Sequence, residues 1–241
     1  MSECLIPDWW SAILPAMKGF RLAGLALGAL MVTAPAQAQM ITLGQVLVLT
    51  PSDGQTAGDA NTHLLQADRG ARKGQFYRLW TGTGGAAASR PVKSERSTEY
   101  RLLSPDKVGP LPDVDVLGIH YIKVLPERRD AFERFVGETI HPAAANLRSD
   151  LRLLYYQAVS GPESPGYILL FALTRQSRDK YWPGGADSDE LRTAFGPLQA
   201  YTKELATYFV PGSALTEEKF AAAVYESREW TDLVLVPPKP R

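Results

Sequence analysis

The amino-acid sequence predicts an α+β fold in which a β-α-β-β-α-β unit is completed into an α/β barrel. Two observations support this prediction. From about residue 113 onward, strand-like and helix-like segments follow one another in that order. In addition, the segment 167–173 is apolar on both faces of the strand it predicts, so both faces must be covered. Two helices cover only one face, and a second sheet must therefore cover the other.

Local patterns support each element of the unit. The first strand is rich in β-branched residues, and Pro126 suits the start of the helix that follows it. Apolar residues continue at helical spacing up to Ile140, and we expect the helix to end or kink before Pro142. In chain order, the predicted elements are a strand at 114–124, a helix at 126–140, strands at 151–159 and 167–173, a helix at 188–208 and a strand at 230–236.

The upstream half of the chain offers a candidate for the second sheet. Residues 45–49 predict a strand, 59–73 a helix, and 75–80 and 99–103 two further strands. Residues 75–80 resemble 150–155, and residues 99–103 resemble 166–170. The barrel is therefore expected to close in one of two ways, through a degenerate internal repeat or through dimerisation.

The first 38 residues have the pattern of a cleavable signal peptide. Lys18 and Arg21 precede an apolar run too short to span a bilayer, and an Ala-x-Ala site ends at Ala38. We expect translation to start at Met17 and the mature protein to be periplasmic or secreted. The predicted domains are an extension with signal peptide at 1–38, a degenerate first ferredoxin-like half at 39–112, a ferredoxin-like α/β-barrel domain at 113–236 and a Pro-rich tail at 237–241.

Composition excludes several classes of function. The chain has 26 basic and 26 acidic residues, so no overall field attracts nucleic acid or, after signal cleavage, anionic membranes. Its single cysteine, Cys4, lies in the predicted leader, which leaves the mature chain without disulfide or thiolate chemistry. No metal-binding motif and no phosphate-binding loop occurs in the sequence.

Residues 113–236 resemble the dimeric α/β-barrel superfamily of ferredoxin-like domains, in particular its antibiotic-biosynthesis monooxygenase and stress-responsive groups. The similarity lies in a strand ending at Pro126, a Phe-rich helix, a Tyr-rich strand and a helix preceded by Trp182-Pro183. This resemblance implies two sheets that close face to face around a ligand cavity. It implies no single chemistry, because the superfamily also includes isomerases and haem-binding barrels.

Two histidines are candidate catalytic residues. His120 lies on a strand face that also carries Gly118, where a titratable ring could line the cavity as a general base. The alternative is a core histidine held by its neighbours. His141 follows the first helix, where it would lie over the barrel mouth or simply cap the helix. We expect His63 to lie on the surface.

Five aromatic residues are candidates for substrate binding. Tyr155 and Tyr156 point to opposite faces of one strand, and Tyr121 points away from the face of His120. Tyr181 and Trp182 precede Gly184-Gly185 and could form a mobile lid or a plug that closes the barrel end. Ordinary core packing is the alternative for all five.

These observations predict an exported α/β-barrel protein whose partner is a small hydrophobic or aromatic molecule. One hypothesis is a cofactor-independent oxygenase or isomerase. A second is a non-catalytic ligand-binding or stress-responsive barrel. A third is a haem-binding barrel with histidine as the axial ligand. Under any of these hypotheses a homodimer is a possible assembly. No other cofactor and no metal is predicted.

Overall fold

The computed structural model describes residues 40–54, 61–82, 94–147, 150–183, 188–210 and 230–237. All of them belong to one compact unit, residues 37–241. The predicted signal peptide with Met17, the Gly184-Gly185 pair and residues 238–241 of the tail lie outside the described residues. Among the described helices, none is both long enough and apolar enough to cross a membrane.

Eight antiparallel strands close into a barrel within a single chain, in the order β10-β3-β4-β2-β5-β8-β9-β7. Closure therefore needs no second copy. Two short strands, β1 and β6, pair separately. The strands are β1 (Ile41–Thr42), β2 (Val46–Ser52), β3 (Thr62–Gly70), β4 (Phe76–Gly82), β5 (Thr98–Leu102), β6 (Asp113–Val114), β7 (Val116–Ile122), β8 (Leu151–Ser160), β9 (Tyr167–Leu173) and β10 (Trp230–Leu235).

The described helices pack against the outer wall formed by the second half of the chain. They are α1 (Arg129–Phe135), α2 (His141–Ala145), α3 (Arg175–Tyr181), α4 (Asp189–Gln199) and α5 (Thr202–Ala206). The first predicted helix continues through Pro142, because a π-helical turn over Val136–Ile140 separates α1 from α2 and places the proline in the first turn of α2. The segment that follows β9 contains α3, which the sequence did not predict.

Apolar side chains form separate layers inside and outside the barrel wall. The inner layer contains residues from all eight barrel strands, as expected because an eight-stranded barrel is just wide enough for side chains to fill it. Ile41, Leu43, Val108 and Val114 join this layer from outside the eight strands. The outer layer joins β7, β8, β9 and β10 to the helices. Strand β9 contributes to both layers, which explains why both of its faces are apolar.

The prediction of a helix over residues 59–73 was wrong, because Thr62–Gly70 is strand β3. Both Leu64 and Leu65 are buried, one on each side of the strand, so this segment lacks the alternation that identifies a strand with one face in water. The error also shifted the proposed repeat by one element. In the barrel, β4 occupies the place of β9 rather than of β8, and β5 occupies the place of β10.

The two halves of the chain have the same strand order. The first four barrel strands are arranged as β3-β4-β2-β5 and the last four as β8-β9-β7-β10. The last strand of each set carries a bulge directly after a buried acid, Glu99 in β5 and Asp232 in β10. The two four-stranded sets therefore share their strand order and the position of one bulge.

Two hairpin turns at one end of the barrel begin with the same backbone structure. We call them the Arg72 hairpin (residues 70–75) and the Glu163 hairpin (residues 161–166), and this end of the barrel is the hairpin end. Each begins with a glycine at positive φ, +86° at Gly70 and +96° at Gly161. The amide of Lys73 donates to the carbonyl of Gly70 at 3.2 Å, and the amide of Ser164 donates to that of Gly161 at 3.1 Å. Arg72 and Glu163 therefore occupy equivalent positions, two residues after each glycine.

Candidate functional site

A cavity of about 170 Å³ opens at the hairpin end of the barrel. A cavity of about 150 Å³ can hold a single benzene ring, so this space fits a ligand of about that size. Its walls combine aromatic rings with charged groups from both hairpins. The lining residues are Leu49, Pro51, Arg72, Tyr77, Arg96, Thr98, Tyr100, Tyr121, Pro162 and Glu163.

The Arg72 guanidinium is the central polar group of this cavity. Its Nη1 donates to the hydroxyl of Tyr121 at 2.8 Å, and its Nη2 donates to Oε1 of Glu163 at 3.0 Å. The guanidinium carbon also lies 4.0 Å from the centre of the Tyr121 ring, a cation–π contact. Burial alone would lower the pKa of Arg72, but the nearby Tyr121 and Glu163 outweigh it and raise this pKa. The cavity therefore holds a fixed positive charge.

Three phenols face the same space. Burial is the main cause that raises the pKa of Tyr100 and of Tyr121 above the ordinary tyrosine value, although Arg72 acts in the opposite direction. Both hydroxyls are therefore neutral and able to donate hydrogen bonds. The hydroxyl of Tyr77 donates to Oε1 of Gln75 at 2.7 Å. Neutral phenols beside a guanidinium suit a ligand that is aromatic and carries an anionic oxygen.

Neither candidate catalytic histidine lies at this cavity. His120 is on the outer face of β7, where its ring contacts Phe171 and Trp230 at centroid distances of 5.7 and 6.5 Å. His141 begins α2, and its Nε2 accepts a hydrogen bond from the backbone amide of Tyr155 at 3.1 Å. Burial lowers the pKa of His120 to about 3 and that of His141 to about 4. Both rings are therefore neutral and packed between the strands and the helices.

Of the five aromatic candidates, only Tyr121 lines the cavity. Tyr156 also points into the barrel, but its hydroxyl donates to the carbonyl of Gly44 at 2.9 Å. Tyr155 faces outward against Phe132. Tyr181 and Trp182 end α3 and are buried in the outer layer, so they lie against the barrel wall and not over its mouth.

Arg72 and Glu163, the two groups that define the cavity, were not among the candidates from the sequence. Each lies in a short, polar, glycine-containing run that looks like an ordinary exposed turn. A signal was nevertheless present, because both runs have an alanine three residues before the glycine and a charged residue two residues after it. His63, expected on the surface, is buried at the start of β3, and burial lowers its pKa.

A second polar group of residues lies on the outer wall beneath α3. Nη1 of Arg178 donates to Oδ2 of Asp68 at 2.8 Å and lies 3.6 Å from Oδ2 of Asp232. Asp232 is buried beside Gly118, where an added Cβ would lie only 3.1 Å from its Oδ1. Burial raises the pKa of Asp232 to about 7, although Arg178 acts against this rise. These contacts join α3 to β3 and β10.

The Asp232→Asn variant is expected to gain stability over the parent protein as the pH rises. The folded parent keeps the Asp232 proton up to a pH of about 7, whereas the unfolded chain releases it near 4, so the parent loses stability between these values. Asparagine is neutral throughout. From pH 5 to pH 8 the difference in free energy of unfolding should move by about 2–3 kcal/mol in favour of the variant. Urea denaturation at the two pH values measures this, and a constant difference would contradict it.

The described residues do not fit a haem group. The cavity has the size of a single aromatic ring, far below that of a porphyrin. His120 and His141 are each 1% exposed, and neither reaches it. In the part of the chain that the structure describes, no three His, Cys, Asp or Glu side chains group together as a metal site.

Comparisons with known proteins leave the family open. No protein-family model matches the chain, and no curated protein matches it. Among solved structures, the chain is similar to one described as an anthrone oxidase-like protein, with 12% sequence identity and a TM-score of 0.37. That match covers 80% of this chain and 90% of the other. Values this low identify neither a family nor an activity.

Proposed function

We propose that the protein binds a small aromatic monoanion, such as a single-ring carboxylate, in the cavity at the hairpin end of the barrel. The observation that carries this proposal is the half-buried Arg72 guanidinium, which donates to the Tyr121 hydroxyl and lines a cavity the size of one ring. Charge-assisted hydrogen bonds from a guanidinium to a carboxylate are among the strongest that proteins form.

The charge balance of the cavity supports a ligand with one negative charge. Arg72 and Arg96 contribute two positive charges to its lining, and Glu163 contributes one negative charge. The aromatic walls supply apolar contact for the ring. The neutral phenols of Tyr100 and Tyr121 supply hydrogen-bond donors at its edge.

Replacing Arg72 is expected to abolish most of the binding. Benzoate should bind the Arg72→Gln variant about 10–100-fold more weakly than the parent protein, because a charge-assisted hydrogen bond inside a cavity contributes about 1.5–3 kcal/mol. Isothermal titration calorimetry measures this. The matched control is Lys73→Gln, which removes the same charge from an exposed position on the same hairpin and should change the affinity less than threefold. Equal affinities for parent and Arg72→Gln would contradict the proposal.

We propose an enzyme acting on the same ligand, a cofactor-independent oxygenase or isomerase, as a second candidate. The guanidinium of Arg72 and the hydroxyl of Tyr121 would stabilise an oxyanion on a substrate, and the Glu163 carboxylate lines the same cavity as a proton acceptor. Oxygen uptake or product formation from dihydroxybenzoate, lost in Arg72→Gln, would support catalysis. Binding without turnover would leave ligand binding as the function.

We further propose that the barrel consists of two ferredoxin-like halves, at 39–112 and 113–236, within an exported protein. The common strand order of the two four-stranded sets and the paired hairpins support the repeat. The leader pattern over residues 1–38 supports export, and N-terminal sequencing of the periplasmic protein should begin at residue 39. A retained leader would contradict export.

A further inference from the structure

The Arg72–Glu163 ion pair joins the two equivalent hairpins across the mouth of the barrel. The two residues are 91 positions apart in the chain, and Nη2 of Arg72 donates to Oε1 of Glu163 at 3.0 Å. Both side chains line the cavity. The carboxylate of Glu163 therefore lies where the anionic group of a bound ligand would meet the guanidinium.

The contact of Glu163 is weak enough to be exchanged for another carboxylate. It engages one Nη atom through one oxygen, not both nitrogens of the guanidinium. The Glu163 side chain is 38% exposed and that of Arg72 is 28% exposed. Both side chains are partly exposed and only one hydrogen bond joins them, so Glu163 can turn into water at modest cost.

A ligand carboxylate and Glu163 cannot share Arg72 comfortably. Two carboxylates within a few ångströms repel one another, and each disfavours the ionised form of the other. Nη1 already donates to the Tyr121 hydroxyl and Nη2 to the Glu163 carboxylate, so an anion that binds at the Nη2 edge of the guanidinium meets Glu163 there. Binding of the ligand therefore either displaces Glu163 or is weakened by the repulsion between the two carboxylates.

Resting on the function proposed above, we propose that Glu163 occupies the anion position on Arg72 when the cavity is empty and is displaced by the carboxylate of the ligand. Glu163 on one hairpin thus competes with the ligand for Arg72 on the other hairpin. This competition lowers the affinity for anions.

Titration of benzoate and its neutral analogue benzamide into the parent, Glu163→Gln and a control variant tests this. Benzoate should bind Glu163→Gln three- to tenfold more tightly than the parent, because the competing charge and the repulsion are both removed. Benzamide should bind weakly to both proteins, with affinities within twofold of each other. The control is Glu127→Gln, which removes the same charge from an exposed position outside the cavity lining and should leave benzoate affinity unchanged.

The outcomes separate this inference from the function on which it rests. If the parent binds benzoate and Glu163→Gln binds it equally or more weakly, Glu163 is a spectator or a ligand contact and the competition is overturned, while the binding function stands. If neither protein binds benzoate, both proposals fall. Thermal melting of Glu163→Gln within a few degrees of the parent verifies that the barrel is intact, since glutamine keeps the size and the acceptor oxygen of glutamate.

Discussion

The Asp232→Asn variant is expected to lose about 4 kcal/mol of its free energy of unfolding between pH 7.5 and pH 5, through His120 and His141. Burial holds the pKa of these rings at about 3 and about 4 in the folded protein, whereas the unfolded histidines take up protons near 6.5. The unfolded chain therefore binds two more protons as the pH falls. Each contributes about 2 kcal/mol of lost stability at pH 5.

The loss of stability at low pH is measured in the Asp232→Asn variant because Asp232 in the parent protein has the opposite effect on stability as the pH falls. In the folded parent protein, Asp232 takes up a proton as the pH falls below about 7, whereas the unfolded chain does so only near pH 4. This difference adds about 2–3 kcal/mol to the free energy of unfolding between pH 7.5 and pH 5. Protonation of His141 also removes the acceptor of the Tyr155 amide, which adds a structural reason for its low pKa. His63, whose pKa is lowered by burial, acts in the same direction as the other two histidines.

Urea denaturation at steps between pH 5 and pH 7.5 measures these effects. Adding His141→Gln or His120→Gln to the Asp232→Asn protein should reduce the pH-dependent loss by about half each. The variants also lose packing at pH 7.5, so only the change with pH is diagnostic. Curves that run parallel with and without the histidines would contradict the expectation.

Alanine at the first glycine of either hairpin should destabilise the barrel by about 3–4 kcal/mol. A Cβ at Gly70 would lie 2.2 Å from the carbonyl oxygen of Trp230, and a Cβ at Gly161 would lie 2.2 Å from that of Ser97. Both glycines have positive φ, which alone costs an alanine about 1–2 kcal/mol. The remainder comes from the backbone shift needed to relieve the contact, where β3 meets β10 and β8 meets β5.

Gly74 provides the matched control for these substitutions. Its φ is +87°, close to that of Gly70 on the same hairpin, but no described atom lies within 4 Å of an added Cβ. Gly74→Ala should therefore cost only the conformational part, about 1–2 kcal/mol. Chemical denaturation of the three variants measures the difference. If Gly70→Ala and Gly74→Ala were equally stable, the close approach between β3 and β10 would not constrain the barrel.

The sequence predicted the second half of the fold well because its signals are local. Strand β9 was predicted at its observed bounds, 167–173, and its two apolar faces correctly required covering layers on both sides. The α+β class and the barrel are confirmed. Strand β3 was missed because the adjacent Leu64 and Leu65 interrupt the alternation of apolar and polar residues that identifies a strand.

The candidate site was harder to predict because it depends on barrel closure. Arg72 and Glu163 meet only when two hairpins 91 residues apart arrive at the same end of the barrel, and the similar spacing of the two runs does not by itself predict that contact. Tyr121 was identified through strand alternation, which places it opposite His120 on β7. Which face of β7 is the inner one depends on the sheet that covers it. The histidines were therefore the catalytic candidates because of their chemistry, and Tyr121 was a candidate for substrate binding, but the histidines lie on the outer wall.

The opposite charges on the two hairpins would be impossible in a barrel made from two identical chains. Perfect twofold symmetry would put the same residue at both equivalent positions, so two guanidinium groups or two carboxylates would face one another across the mouth. In this single chain the two positions differ, with Arg72 on one side of the mouth and Glu163 on the other. A molecule entering the mouth would therefore meet a cation on one side and a carboxylate on the other.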